Sequence, residues 1–179
     1  MIVVGTGPGS YTGIRVGLAA AKGLGEALEV PVYGLNTLRI IAENAGYSNE
    51  WIASVLDARR GEVYAAFYHN NNGNIETVET SAEKFSSALA KFPQVLICGN
   101  AGKIYRQTWL KYPNLTLAPI DWDRPFGYHA ARIGLEEFNK TKTSSEQLTP
   151  CYLRKVEAEL RLEEKLNATQ NRTDESGRS

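Results

Sequence analysis

Cysteine and histidine are scarce in this chain, two of each among 179 residues. The four, His69, Cys98, His129 and Cys151, lie far from one another in sequence. Solitary cysteines exclude a disulfide framework and fit a reducing, cytoplasmic setting. Separated histidines exclude the paired-imidazole helix motif of a zinc enzyme, so no metal site is expected; the ordinary reading is a loop residue at His69 and a surface or core helix residue at His129. A charge surplus is missing as well, with 20 basic residues against 20 acidic ones. A protein that grips nucleic acid unaided usually carries a basic stripe. Lys103, Arg106 and Lys111 would make a modest basic face on one helix, for which solvation is explanation enough. Long apolar runs are also lacking: Val16 to Leu28 is broken by Lys22, Glu26 and several glycines and is too short to span a bilayer. No basic-then-apolar leader precedes it.

What the chain does have is a glycine-rich turn at its start. The apolar Ile2-Val3-Val4 runs into Gly5, Gly7, Pro8, Gly9 and Ser10, and a helical pattern follows from Tyr11. Glycines permit positive φ and close backbone approach, while Ser10 or Thr12 can cap the helix, which makes the turn a potential anion-facing element. A phosphate-binding P-loop would need a Lys-Ser or Lys-Thr pair where Tyr11 and Thr12 stand, and the next lysine is Lys22, well into the helix. A dinucleotide fingerprint would need glycine at Ser10 and an acidic residue where the next strand ends in Asn36. Neither nucleotide motif is present, and no cofactor-binding or catalytic residue is assigned.

Periodicity predicts a helix over Tyr11–Leu28, a strand Val32–Leu35, a helix Thr37–Ala45 and paired strands Trp51–Ala58 and Glu62–Tyr68. Asn70 to Asn74 reads as a turn into a third strand near Ile75–Val78. Helix Ala82–Lys91, strand Val95–Cys98, helix Ala101–Tyr112, strand Leu115–Leu117 and helix Phe126–Asn139 follow. Strands interleaved with covering helices argue α/β layers. Asp57 is the carboxylate placed as a site residue would be, but beside Arg59, Arg60 and Glu62 it reads first as the residue that organises the hairpin turn by bonding the backbone two residues on. Asp121 and Asp123 read as loop charges around Trp122.

The string from Gly5 to Leu24, GTGPGSYTGIRVGLAAAKGL, resembles the bacterial TsaB (YeaZ) family. The likeness continues through Pro31–Leu35 with Thr37-Leu38, Leu56–Ala66, Cys98–Ala101, Pro150–Arg154 and Ala158-Glu159. It implies a fold of the actin, sugar-kinase and Hsp70 (ASKHA) type. Residues 1–45 would be the remainder of a truncated first lobe, 46–156 a second lobe, and 157–179 a charged helix (Glu157–Asn167) followed by a disordered tail. It also implies an opening β-hairpin, a further strand and a helix ahead of Ile2, so that Val3 and Val4 are expected in a strand short of sheet neighbours.

The resemblance further implies a part in making threonylcarbamoyladenosine beside the tRNA anticodon. In that family the paralogue TsaD transfers the group, TsaB is its non-catalytic partner, and an ATPase, TsaE, joins them. ATP and metal then belong to the partner subunits, tRNA is met mainly through the complex, and a homodimer is the alternative assembly without TsaD. The family's docking helix corresponds to Tyr11–Leu28, which nominates Tyr11, Arg15, Val16, Gly17, Ala20, Gly23, Leu24 and Ala27 for partner contact. Gly5, Gly7, Pro8, Gly9, Ser10, Asp57 and Arg59 are expected to shape turns. Packing on the protein's own sheet would explain the helix residues equally. An independent sugar-kinase-like nucleotide enzyme is the alternative function, and a metalloprotease, suggested by older glycoprotease-like naming, fits least.

Overall fold

The computed structural model describes residues 1–46, 51–69, 74–141 and 148–153. Residues 70–73 of the expected turn Asn70 to Asn74, the charged helix and the disordered tail lie outside the described residues. The chain opens with strand β1 (Ile2–Gly7), helix α1 (Tyr11–Leu28), strand β2 (Val32–Asn36) and helix α2 (Thr37–Ala42), which runs into a 3₁₀ turn at Glu43–Ala45. Strands β3 (Trp51–Arg59), β4 (Glu62–His69) and β5 (Asn74–Ser81), helix α3 (Ala82–Leu89) and strand β6 (Val95–Cys98) come next. Two short helices, α4 (Ala101–Ile104) and α5 (Arg106–Trp109), then lead to β7 (Leu115–Leu117) and the long α6 (Gly127–Thr141).

Two sheets result. β1 and β2 pair in parallel, Ile2 opposite Val32 and Gly5 opposite Leu35. The larger sheet has the order β5-β4-β3-β6-β7, antiparallel through β5, β4 and β3 and parallel from β3 through β7. Alternation along its strands supplies two apolar faces. Ala53, Val55, Val63, Ala65 and Ile97 face Phe85, Leu89 and Trp109 of α3 and α5. Ile52, Tyr64, Ala66 and Tyr68 face Leu38, Ile41 and Ala42 of α2. α2 is therefore the element between the sheets, since its Ile40 packs with Leu35 of β2.

The small sheet is covered on both faces. Val4 and Val32 pack under Ile14 and Leu18 of α1, and Val3, Tyr33 and Leu35 pack under Ala130 and Ile133 of α6. β1 thus has β2 as neighbour and helices above and below, while its other edge carries no strand among the described residues. A division at residues 45 and 46 groups α6 with the second lobe; in the structure α6 crosses back onto the first sheet. Glu43, 5% exposed, ties this return down: Arg132 donates to its carboxylate at 2.6 Å and Arg39 lies at 3.5 Å. The carboxylate is buried while both guanidinium groups reach solvent, so removing either arginine leaves a buried charge with one partner fewer.

Several sequence expectations are corrected. His69 ends strand β4 and stacks on Trp51, ring centroids 4.6 Å apart, so it is not a loop residue. The helix expected over 101–112 is two helices broken at Tyr105, whose φ and ψ of −100° and 19° leave the helical region. Tyr105 is tethered there: its hydroxyl donates to Asp57 at 3.0 Å and its ring packs on Trp109. Lys103, Arg106 and Lys111 consequently share no single helix face. Thr37–Ala45 is α-helical only to Ala42, the third strand of the meander extends over Asn74–Ser81, and Trp122 stands in a 3₁₀ turn at Ile120–Trp122.

Candidate functional site

The opening turn is built from side chains that each answer one backbone group. Thr6 donates from its hydroxyl to the Leu35 carbonyl at 3.0 Å, and Thr37 accepts from the Gly7 amide at 3.2 Å. Ser10 caps α1 by accepting from the Gly13 amide at 3.3 Å. Among the glycines at 5, 7 and 9 only Gly7 has positive φ, +105°. A Cβ there would lie 2.7 Å from the Cys151 carbonyl oxygen and 2.8 Å from Ile14 Cδ1. Close passage of residues 148–153 over the turn therefore requires glycine at position 7.

That last described segment is a strap across both lobes. Leu148 packs with Ile14 and Leu18, Cys151 donates its amide to the Thr6 carbonyl at 2.8 Å, and Leu153 packs against the α2 face of the large sheet. Burial pushes the Cys151 thiol pKa up. Between strap, turn and hairpin lies a cleft of about 960 Å³, a size suited to a small ligand. Gly5, Pro8, Gly9, Ser10 and Tyr11 form one wall; Asp57, Arg59, Arg60 and Asn100 form the other; Tyr152 stands at the strap.

On the second wall Asp57 accepts from the Arg59 amide at 3.1 Å and from Tyr105, and its own amide donates to Asn100 Oδ1 at 2.9 Å. Burial, followed by the bond to Asp57, raises the Tyr105 pKa. Arg59 and Arg60 form the tip of the β3–β4 hairpin in the left-handed region, at φ 64° and 55°. Sequence reasoning found Asp57 and the turn but missed Tyr105, Asn100 and Tyr152, because nothing local in the sequence shows that these stretches converge.

Helix α1 sorts its residues cleanly. Ile14, Leu18, Ala21 and Gly25 are buried on the small sheet, at the three- and four-residue steps of one helical face. Of the eight residues nominated on this helix, Val16, Ala20, Gly23, Leu24 and Ala27 are exposed on an outer arc that Leu28 extends, with Val16 and Leu28 63% and Leu24 55% exposed. Gly17 is half-buried, and a Cβ on it would make ordinary contact with Val4. Tyr11 and Arg15 are exposed as well, on the first turns of the helix: Tyr11 lies 4.9 Å from Tyr152, and the Arg15 guanidinium donates to the Tyr11 hydroxyl at 2.5 Å. Among the described residues no group of three His, Cys, Asp or Glu could hold a metal ion, and no helix is long and apolar enough to cross a membrane. His69 and His129 stand on different elements, β4 and α6.

Comparison with known proteins gives a consistent set of relatives. The family described as TsaD, tRNA N6-adenosine threonylcarbamoyltransferase, matches residues 1–135. The tRNA threonylcarbamoyladenosine biosynthesis protein TsaB of Bacillus subtilis is 43% identical over 77 residues, 43% of this chain and 34% of that protein. Its namesake from Escherichia coli is 40% identical over 76 residues, 41% of this chain and 33% of that one. The chain thus aligns with about a third of the length of these two relatives. A crystal structure from Pseudomonas aeruginosa, of an uncharacterized protein with similarity to peptidase YeaZ, superposes with a TM-score of 0.67 at 25% identity, covering 86% of this chain and 73% of that one. YeaZ from Pseudomonas aeruginosa superposes at 0.62 and 24% identity, covering 85% and 72%, which speaks for the fold alone.

Proposed function

The chain belongs to the TsaD family, among its TsaB/YeaZ-type members with the ASKHA-type α/β fold, and from that premise we propose that it is a non-catalytic partner subunit of the complex that installs threonylcarbamoyl on the adenosine next to the tRNA anticodon. Its partner is a TsaD-type paralogue, which carries the catalytic metal, with a TsaE-type ATPase as the third member and the cytoplasm as the setting. The observation that carries this reading is the outer arc of α1. Val16, Ala20, Leu24 and Leu28 present an apolar, small-residue stripe on a helix whose opposite face is already committed to its own sheet. Apolar stripes of this kind on a rigid helix are the surfaces that partner helices cover.

Ala20→Glu in the full chain tests it. The side chain points outward, so the fold survives, while a TsaD-type partner must bury a carboxylate; affinity by titration calorimetry should fall at least about tenfold, ~1.4 kcal/mol. Unchanged affinity overturns the docking surface. ATP turnover or tRNA modification by the purified chain alone overturns the non-catalytic role.

A further inference from the structure

The cleft is not used by docking through α1, and its walls have a chemistry of their own. At its mouth the Tyr11 and Tyr152 rings lie 4.9 Å apart and inclined by 33°, with the two residues 37% and 41% exposed. Arg15 lies 5.3 Å from the Tyr11 ring centre and holds its hydroxyl, which fixes that ring from outside. With Tyr152 against its ring and Arg15 over it, Tyr11 backs Tyr152, whose exposed ring is a stacking platform for a nucleobase. Facing them across the cleft, Arg59 and Arg60 stand exposed at the hairpin tip. Their left-handed backbone favours glycine or asparagine, and β-hairpin tips ordinarily use those residues. Two arginines in such a conformation offer forked donors suited to phosphate oxygens.

The interior differs from the rim. Asp57 and Asn100 line the cleft half-buried where the arginines are exposed, and Asp57 accepts bonds from Tyr105 and the Arg59 amide. A carboxylate interior suits the amino groups on a base edge and repels phosphate, so the arrangement orders a ligand with base inward and phosphate at the arginine rim. A chain passing along the rim meets cations and stacking faces together, which is how single-stranded nucleic acid is held. We propose that this cleft takes an unpaired nucleotide of an RNA chain, its base against Tyr152 and its flanking phosphates on Arg59 and Arg60. The proposal leans on the proposed function only for the source of that RNA.

Fluorescence anisotropy of the full chain with a 5′-fluorescein single-stranded RNA octamer at low salt tests it. Tyr152→Ala should weaken binding about tenfold, the usual scale for one stacked base, while Tyr152→Phe retains it. Arg59→Ala with Arg60→Ala should weaken binding and flatten its salt dependence. Urea unfolding of each variant, with a midpoint close to the parent's, shows that the fold is kept. Unmodified tRNA should compete through its unpaired bases, and a duplex of the octamer sequence should not. The proposal is overturned by absence of octamer binding, by equal competition from the duplex or from ATP, or by affinity indifferent to both sets of substitutions. Loss of this binding would leave the α1 titration with the TsaD-type partner untouched, so the two readings fail separately.

Discussion

Replacing Gly25 by alanine should destabilise the protein, while the same change two residues earlier, at Gly23, should stabilise it. Both positions lie inside α1, where alanine is favoured over glycine by about 0.8–1.0 kcal/mol. Their surroundings differ. A Cβ at Gly23 would meet nothing within 4 Å, so the whole gain is realised. At Gly25 it would lie 2.3 Å from Val32 Cγ2 and 3.2 Å from the Val30 carbonyl oxygen. Valine is β-branched and stiff about χ1, so relief requires α1 to move off β2, and overpacking of this kind costs about 1–3 kcal/mol. The two variants should therefore differ by roughly 1–3 kcal/mol in urea unfolding at equal m-value. In a thermal melt each kcal/mol is worth about 2–4 °C at this chain length. Val32→Ala removes the obstructing methyl groups, so it should cost less in the Gly25→Ala background than in the parent, a coupling that a double-mutant cycle reads directly. A Gly25→Ala protein as stable as Gly23→Ala, or strict additivity with Val32→Ala, would refute the close approach of α1 to β2.

Two further predictions concern the second lobe. The buried Trp109 indole N–H donates to Ser86 Oγ at 2.9 Å, and Ser86 in turn donates to the Ala82 carbonyl at 2.6 Å. Ser86→Ala strands that indole and should cost about 1–3 kcal/mol in chemical unfolding, a loss that Trp109→Phe in the same background should not deepen by a further hydrogen-bond cost. Burial pushes the Cys98 thiol from 9.0 up to about 12. The folded protein then keeps a proton that the unfolded chain releases above pH 9, so this contribution to stability is complete below pH 9 and is lost as pH rises to about 12. Stability measured across that window should fall more steeply in the parent than in Cys98→Ala, by as much as ~1.4 kcal/mol per pH unit; identical slopes would count against the burial of that thiol.

Local pattern carried some of this fold and not the rest. α1 was legible from end to end because its cap, Ser10, and its inward residues, Ile14, Leu18, Ala21 and Gly25, follow the helical repeat. The hairpin of β3 and β4 was legible from its apolar run and from Asp57, the turn residue beside Arg59 and Arg60. Tyr105 broke a helix that periodicity made continuous because the hydroxyl acceptor holding it, Asp57, is 48 residues away. Nothing in Gly127–Thr141 announces that this helix belongs on a sheet formed by β1 and β2; the demand is set by Val3, Tyr33 and Leu35, which need an apolar cover. The cleft was illegible for the same reason, since five separated stretches contribute to it and only the glycine turn has a pattern of its own.

The return of α6 and the strap to the opening sheet has a consequence during synthesis. Roughly ninety residues separate β2 from α6, so a ribosome working at about 5–20 residues per second needs some 5–18 s to deliver the cover for Val3 and Leu35. Until then the nascent β1–α1–β2 unit presents an oily underside to solvent. A slow codon stretch in that interval would lengthen its dependence on chaperones, and one placed after α6 would not.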